Sequence, residues 1–355
     1  MIVLWGLGTE STWRAVADRL ADLDADVLLL DQASRTQHPD VELGIEAGRW
    51  RGHLCADNEV FDLAAVTAAY FRPYDPMAFS YDGPSAGAAR EHATQLSQLL
   101  WAWADVADAL VVNRPSHMAA GASKPFQARL VRRAGFRTPA TVMTNDPAAA
   151  ERFWREQGRV VFKSTSGVRS TVRCLEPYDV AQLADIQTCP VQFQAYVPGT
   201  DYRVHTVGQR AYATRIDSDA VDYRYPPEGA AAPAVVPVRI PESLERRCLE
   251  LARAHRLVVS GIDLRLTPSG EWYCFEINPS PAFAYFDVDG EVATAVARLL
   301  ASGTGAQTHP LGFRNPGMPG ARQSQQPWRS PWQTGVDDPT RDWRTTCSSP
   351  PVPAS

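Results

Sequence analysis

Three oxygen-bearing side chains, Asp263, Glu276 and Asn278, interrupt two short apolar runs that read as the arms of one hairpin. Gly261-Ile262-Asp263-Leu264-Arg265 is one arm and Phe275-Glu276-Ile277-Asn278-Pro279 the other, with Pro268-Ser269-Gly270 suited to the reversal between them. Side chains alternate along a strand, so Asp263 and Arg265 share a face, as do Glu276 and Asn278. Where those faces coincide, Asp263, Glu276 and Asn278 converge as hard oxygen ligands. Such a set suits Mg²⁺, which typically keeps substrate phosphates and water in its remaining positions. Burying these groups among Ile262, Leu264, Cys274, Phe275 and Ile277 without a cation or partner would be costly. The bland alternative is a solvated outer face.

Two lysines stand out in a chain that has few. Lys163 ends the run Val160–Phe162 and precedes Ser164-Thr165-Ser166-Gly167. A point charge followed by a loop rich in hydroxyls and glycine fits a polyphosphate cradle, although a plain hairpin loop has the same composition. Lys124 precedes a helix, where a cation opposes the helix dipole; binding an anion would account for it. Arg203 and His205 share one face of a strand, and Arg215 lies on the partner strand. Such residues on strands usually mark surface, but facing one pocket they could neutralise a transferring phosphate.

The elements that must position these groups fall into two parts. Ile2–Trp5, the turn Gly6-Leu7-Gly8, the amphipathic stretch Ser11–Leu23 and Val27–Leu30 form a βαβ unit, which favours a parallel sheet. Val66–Phe71, a helix over Ser85–Ala109 and Leu110–Val112 complete an N-terminal α/β domain over residues 1–112. The Gly6/Gly8 pair lacks the third glycine of a dinucleotide fingerprint and reads as a tight turn, or as an anion contact at a helix N-terminus. Residues 113–302 read as an antiparallel α+β body. Its helices are Pro125–Ala134, one opened by Asp146-Pro147, Glu242–Arg256 and Val288–Leu300. Its strands are Arg159–Ser164, Ser170–Leu175 and Val191–Tyr196, followed by the hairpins Tyr202–Val207 with Ala211–Asp217 and Gly261–Thr267 with Trp272–Ile277. Residues 303–355 are dominated by Gly, Pro, Ser, Gln and Thr, with isolated Trp328, Trp332 and Trp343, and are expected to be disordered.

Composition narrows the classes. In 355 residues, 45% are hydrophobic, enough for a large core in two or three domains. A net charge of −5 gives no global basic field for nucleic acid or an anionic membrane. No apolar run approaches the ~20 residues of a membrane span, and Met1–Trp5 does not read as a signal peptide. The six cysteines form no C-x-x-C pair, and Cys174, Cys248 and Cys274 read as buried free thiols of a cytoplasmic protein. G-x-S-x-G, H-E-x-x-H and G-x-x-x-x-G-K-[ST] are all missing, which removes the serine hydrolase, zinc protease and P-loop readings.

Taken in order, the stretches NRPSHMAAGASKPFQ, AGFRTPATVMTNDP, VVFKSTSG, VQFQAYVPGTDYRVHTVG, ATRIDSDAVDYR, and GIDLR with CFEINPSP resemble the ATP-grasp superfamily, in particular its RimK-like branch, from about Asn113 to Leu300. The resemblance implies an ATP-grasp fold of two α+β subdomains behind a parallel α/β pre-ATP-grasp domain. It implies an ATP- and Mg²⁺-dependent ligase that joins a carboxylate to an amine or hydroxyl through an acyl phosphate, on a peptide or amino-acid substrate. By that analogy Lys124 and Lys163 contact the ATP phosphates and Ser164–Gly167 closes over them. Gln194, Ala195, Tyr196 and Val197 read adenine, largely through backbone, and Asp201 sits near the ribose. Arg203 and Arg215 hold the γ-phosphate and acyl phosphate, while Asp263, Glu276 and Asn278 ligate one or two Mg²⁺ ions. Arg72, Tyr74 and Arg114 are candidates for holding an acidic acceptor or leader peptide, and a homo-oligomer is consistent with relatives of this branch. KPFQ and TNDP, with DYR after the hairpin, are also similar to the macrocyclising synthetases of graspetides. The ending FEINPSPAFAYFD is more like stand-alone RimK-type ligases. A non-catalytic ATP-binding scaffold and a small-molecule ATP-grasp kinase are the competing classes.

Overall fold

The five residues of β1 (Ile2–Gly6) are all buried, because this strand lies inside a parallel sheet covered on both faces. A computed structural model of the protein describes residues 1–303 except 35–38, 47–48, 58, 82, 84–85, 120–122, 166–170, 219, 226–227 and 230. The tail expected to be disordered, with its three tryptophans, lies beyond the described residues. In chain order the N-terminal part continues with α1 (Ser11–Asp22), β2 (Val27–Asp31), β3 (Asp40–Glu46), β4 (Arg49–Ala56), β5 (Glu59–Asp62), β6 (Ala68–Arg72), α2 (Ala86–Val106) and β7 (Leu110–Val112). The parallel order is β2-β1-β6-β7. Strands β3–β5 form an antiparallel meander that the sequence reading did not contain. Its alternating Val41 and Leu43, with Leu54, Ala56 and Phe61, packs with Leu100, Trp103 and Ala104 of α2 over one face of the sheet.

Helix α1 is amphipathic as expected: Trp13, Val16 and Leu20 are buried. Its N-cap is Glu10, whose Oε2 accepts the Trp13 N–H at 2.6 Å, so a carboxylate of the protein already occupies the helix N-terminus. A Cβ on Gly8 would stand 2.5 Å from Asp31 Oδ2, while Asp31 Oδ1 accepts the Gly8 N–H at 2.9 Å. The glycine pair therefore makes a tight turn.

The second part contains α3 (Pro115–Met118), α4 (Lys124–Arg133), β8 (Thr141–Thr144), α5 (Pro147–Gln157), β9 (Val160–Ser164), β10 (Arg173–Cys174), α6 (Pro177–Val180) and β11 (Val191–Ala195). These strands form a small antiparallel sheet in the order β10-β9-β11-β8, around Ala150, Val160, Leu175, Leu183 and Phe193. β8 was not anticipated, and β10 is only two residues long where a strand over Ser170–Leu175 was expected. Next come β12 (Thr200–Val207), β13 (Arg210–Asp217), β14 (Ala234–Val238), α7 (Glu242–Ala254), β15 (Val259–Leu266), β16 (Trp272–Asn278) and α8 (Glu291–Ser302). The expected hairpins merge into one antiparallel sheet, β14-β13-β12-β15-β16. Helices α4 and α7 cover one face with Leu130, Val131, Leu244, Cys248 and Leu251. The opposite face carries the polar residues of the site. Helix α8 returns to pack Val292, Val296 and Leu300 against Ile2, Leu4 and Tyr70, so one core spans both parts of the chain.

The joint between the parts uses two of the candidate substrate residues structurally. Arg114 is 3% exposed and donates to the carbonyls of Ala104, Ala107 and Ala109 at 2.6–3.0 Å, closing the C-terminal end of α2. Arg72 pairs with Glu10 rather than facing solvent. Beside them, buried Asn113 donates Nδ2 to Val259 O (2.7 Å) and Pro279 O (2.6 Å), and its Oδ1 accepts from Val258 N (2.8 Å). Asn113→Ala strands these backbone groups and is expected to cost about 3 kcal/mol of unfolding free energy, read from urea denaturation.

Candidate active site

Register assembles the site. Arg203 on β12 stands opposite Asp263 on β15, which stands opposite Glu276 on β16, so the three form a row across one sheet face. Asn278, opposite Gly261, follows on the same face at the end of β16. Arg203 Nη1 makes an ion pair with Asp263 Oδ1, its Nε donates to His205 Nε2 at 3.3 Å, and its guanidinium lies 5.5 Å from the Phe286 ring centroid. Burial, then Arg203, hold His205 well below its ordinary pKa, so the ring is neutral and Nε2 is the acceptor. Gly261 leaves room for Arg203 to cross the sheet: a Cβ there would lie 2.3 Å from Arg203 Nη2 and 2.8 Å from Pro281 Cβ.

Both candidate lysines converge on this row. Lys124, at the start of α4, places Nζ 2.7 Å from Glu276 Oε2; Lys163, on β9 of the small sheet, lies 3.9 Å from the same oxygen. Of the 35 Lys and Arg residues in the chain these are the only lysines. Burial alone would raise the Glu276 carboxyl, but Lys124 and then Lys163 outweigh it and bring it down to about 2. For Asp263 the balance is reversed: burial pushes the carboxyl up, Arg203 pulls it back, and Glu276 adds to the rise. Burial lowers the Lys163 pKa, with Glu276 only partly restoring it.

Arg224 was missed as a site residue. Its guanidinium chelates Asp222 (Nε–Oδ1 and Nη2–Oδ2, both 2.8 Å), and it acts electrostatically on both Lys163 and Asp263. Asp222 also accepts the Val172 N–H at 3.1 Å, which ties this loop to the chain leading into β10. The only sequence signal was the triplet Asp222-Tyr223-Arg224 within the resemblance. Arg215 is not brought into the row. It stands opposite Tyr202 on the other face of β13 and pairs with Asp217 at 2.9 Å, with 40% of its side chain exposed.

In the small sheet, β11, the neighbour of β9, runs into Tyr196 and Val197. The Ala195 and Tyr196 N–H groups donate to Ala140 O and Arg159 O, both at 2.9 Å, so these two donors are committed within the protein. Gln194 Nε2 donates to Thr141 Oγ1 at 3.0 Å, and Arg159 stacks 3.7 Å from the Tyr196 ring centroid. Asp201 is held by Arg265 through two bonds of 2.8 Å, and Arg265 also donates to Val197 O. Ser164 ends β9 opposite Val191; Gly167 lies outside the described residues.

Among the described residues no three or more His, Cys, Asp and Glu side chains form a metal cluster. A divalent cation at this face would have the Asp263 and Glu276 carboxylates with the Asn278 amide oxygen. Few protein ligands, with phosphates and water for the rest, is the pattern that fits Mg²⁺.

No family model and no curated protein matches the chain. Solved structures do. The ATP-grasp ligase PsnB, complexed with a phosphomimetic variant of a minimal precursor, Mg and ADP, superposes with a TM-score of 0.70 at 25% identity, covering 85% of this chain and 98% of that one. The macrocyclase MdnC from Microcystis aeruginosa MRC, bound with precursor peptide MdnA, gives 0.69 at 19% identity over 86% and 100%. A RiPP-associated ATP-grasp ligase from Chryseobacterium gregarium, in complex with ADP and a leader and core peptide, gives 0.68 at 20% over 86% and 97%. The chain therefore has the ATP-grasp fold, with the parallel α/β unit in front of it. Its structural neighbours include ligases of that superfamily seen with precursor peptides.

Proposed function

We propose that the protein is an ATP- and Mg²⁺-dependent ligase that activates a substrate carboxylate as an acyl phosphate and passes the acyl group to an amine or hydroxyl. The observation that carries this reading is the convergence of the only two lysines, with Arg203 and Arg224, on the Asp263–Glu276 pair. Four cations around two opposed carboxylates suit a polyphosphate with its counter-ion better than any nucleophilic mechanism. Asp263, Glu276 and Asn278 would hold one or two Mg²⁺ ions, whose charge offsets that of the phosphates. Lys124 and Lys163 bind phosphate oxygens, and Arg203 and Arg224 face the transferring phosphoryl group. The carboxylate oxygen attacks the γ-phosphorus and ADP leaves; the amine or hydroxyl then attacks the acyl carbon and phosphate leaves. The chain's task is to hold these groups in line and keep water out, so no side chain needs to be covalently modified. Adenine lies along Gln194–Val197, with Asp201, fixed by Arg265, toward the ribose.

The neighbours seen with precursor peptides favour a ribosomal peptide as substrate and, more narrowly, graspetide-type macrocyclisation over a free amino acid. The test is incubation with ATP, Mg²⁺ and small peptides encoded beside the gene. ADP release with a product lighter by one water is the expected result. ATP binding with no turnover on any acceptor would defeat the ligase reading and leave a scaffold. A stable phosphorylated product that hydroxylamine does not trap would point to a kinase. Chemical labelling gives an independent check. Lys163, with its lowered pKa, and Lys124 are the only side-chain amines, and ATP is expected to protect both from an amine-reactive reagent, read by peptide mass mapping.

A further inference from the structure

We propose that the N-terminal domain completes the cation site from behind, with Arg72 acting as a positioning residue for Asn278. Arg72 and Glu10 form a buried two-bond pair, Nε to Oε2 at 3.0 Å and Nη2 to Oε1 at 3.2 Å, with side chains 10% and 8% exposed. That pairing fixes the guanidinium plane and aims Nη1 at the second part of the chain, where it donates to Ser280 Oγ (3.2 Å) and Pro281 O (2.9 Å). Asn113 holds the same segment at Pro279 O, 2.6 Å away. Two prolines already restrict Asn278-Pro279-Ser280-Pro281, so fixing the carbonyls of Pro279 and Pro281 leaves Asn278 little freedom. Its Oδ1 accepts the Ser280 N–H at 2.9 Å, and the second lone pair of that oxygen stays available toward the face shared with Glu276. Pro281 is also the residue that lies over Gly261 beside Arg203. A guanidinium fork can serve Glu10, Ser280 and Pro281 together; an ammonium cannot keep that geometry.

This inference rests on Asp263, Glu276 and Asn278 being the Mg²⁺ ligands. The experiment is calorimetric titration of the full chain with ADP, in EDTA and in saturating Mg²⁺. The ratio of the two affinities reports the cation site, and the EDTA value reports the rest of the nucleotide site. Wild-type protein is expected to tighten in Mg²⁺. Arg72→Lys is expected to lose about tenfold or more of that gain while its EDTA affinity stays within about twofold, as for other groups that orient metal ligands. Asn278→Ala should show a similar loss, and the double variant little more than either, because both act on one ligand. If Arg72→Lys does not fold, Ser280→Ala, which leaves the Glu10–Arg72 pair intact, carries the same test with the same expected direction. An unchanged Mg²⁺ gain in the arginine or serine variant, or losses that add in full with Asn278→Ala, would overturn the proposal. No Mg²⁺ gain in the wild type would instead remove the ligand assignment on which it stands.

Discussion

Gly261→Ala is expected to lower acceptor-dependent ADP formation by about 10²–10³-fold, close to the effect of removing Arg203 itself. The reason is steric and local. The new methyl would stand 2.3 Å from Arg203 Nη2 and 2.7 Å from its Cζ, with Pro281 Cβ at 2.8 Å closing the other side. The guanidinium must leave its place over the sheet, and with it go the Asp263 ion pair, the bond to His205 and the Phe286 contact. Overpacking of this kind also costs about 1–3 kcal/mol of stability, so the assay is run well below the melting temperature. Gly87→Ala, at a position in α2 with nothing within 4 Å, is the matched control and is expected to be neutral or slightly stabilising. Activity of Gly261→Ala within a few-fold of wild type would mean that Arg203 does not need this position to work.

Glu276→Gln is expected to suppress ADP formation by about 10³-fold or more, from the loss of a hard anionic ligand and of transition-state charge balance. It also takes the counter-charge from two lysines at once. Lys163, 17% exposed, bears most of that cost, and about 2 kcal/mol of stability should go with it at neutral pH. The pH dependence has a definite sign. The carboxyl is depressed from 4.5 to about 2, so its contribution is fully present above pH 4.5 and is lost as pH falls toward 2. The stability gap between wild type and variant, measured by denaturant titration, should therefore narrow over that window. A gap that stays constant down to pH 2 would show that the lysines are not paired with this carboxylate, and Mg²⁺-dependent turnover near the wild-type rate would remove Glu276 from the site.

The sequence made much of this legible because the physics is local. Alternation along Gly261–Arg265 and Phe275–Asn278 was enough to put Glu276 and Asn278 on one face and Asp263 on a face that could coincide with it. The register shift between Asp263 and Leu264, which sets Asp263 opposite Glu276 rather than Phe275, was not legible. The apolar runs at Ile2–Trp5 and Val27–Leu30 around an amphipathic helix were enough for the parallel unit. Arg215 shows where such reasoning breaks. Ending one strand at Val207 and starting the next at Ala211 would set Arg203 opposite Arg215, but the chain turns through Gly208-Gln209 and pairs Val207 with Arg210. That one-residue shift sends Arg215 to the opposite face. Arg224 was hidden for a different reason: it follows a strand in an irregular loop, and its place near Lys163 and Asp263 depends on tertiary packing. Arg72 and Glu10 are 62 positions apart, and no periodicity links them. The meander β3–β5 does carry alternation, with Glu42 between Val41 and Leu43, but the run is short and is interrupted at Gly44.

The small sheet β10-β9-β11-β8 surrounds a core whose buried members, Ala150, Val160, Leu175, Leu183 and Phe193, belong to none of the other three clusters. Stability in this chain is accordingly not a single quantity. The unit that delivers Lys163 is expected to have its own, lower threshold for opening than the block in which α8 packs the parallel sheet against the larger antiparallel sheet. A polyphosphate held between Lys163 and Glu276 would join the two thresholds. Part of the intrinsic binding energy is then spent on ordering the small unit, and the observed affinity understates the strength of the contacts by that amount.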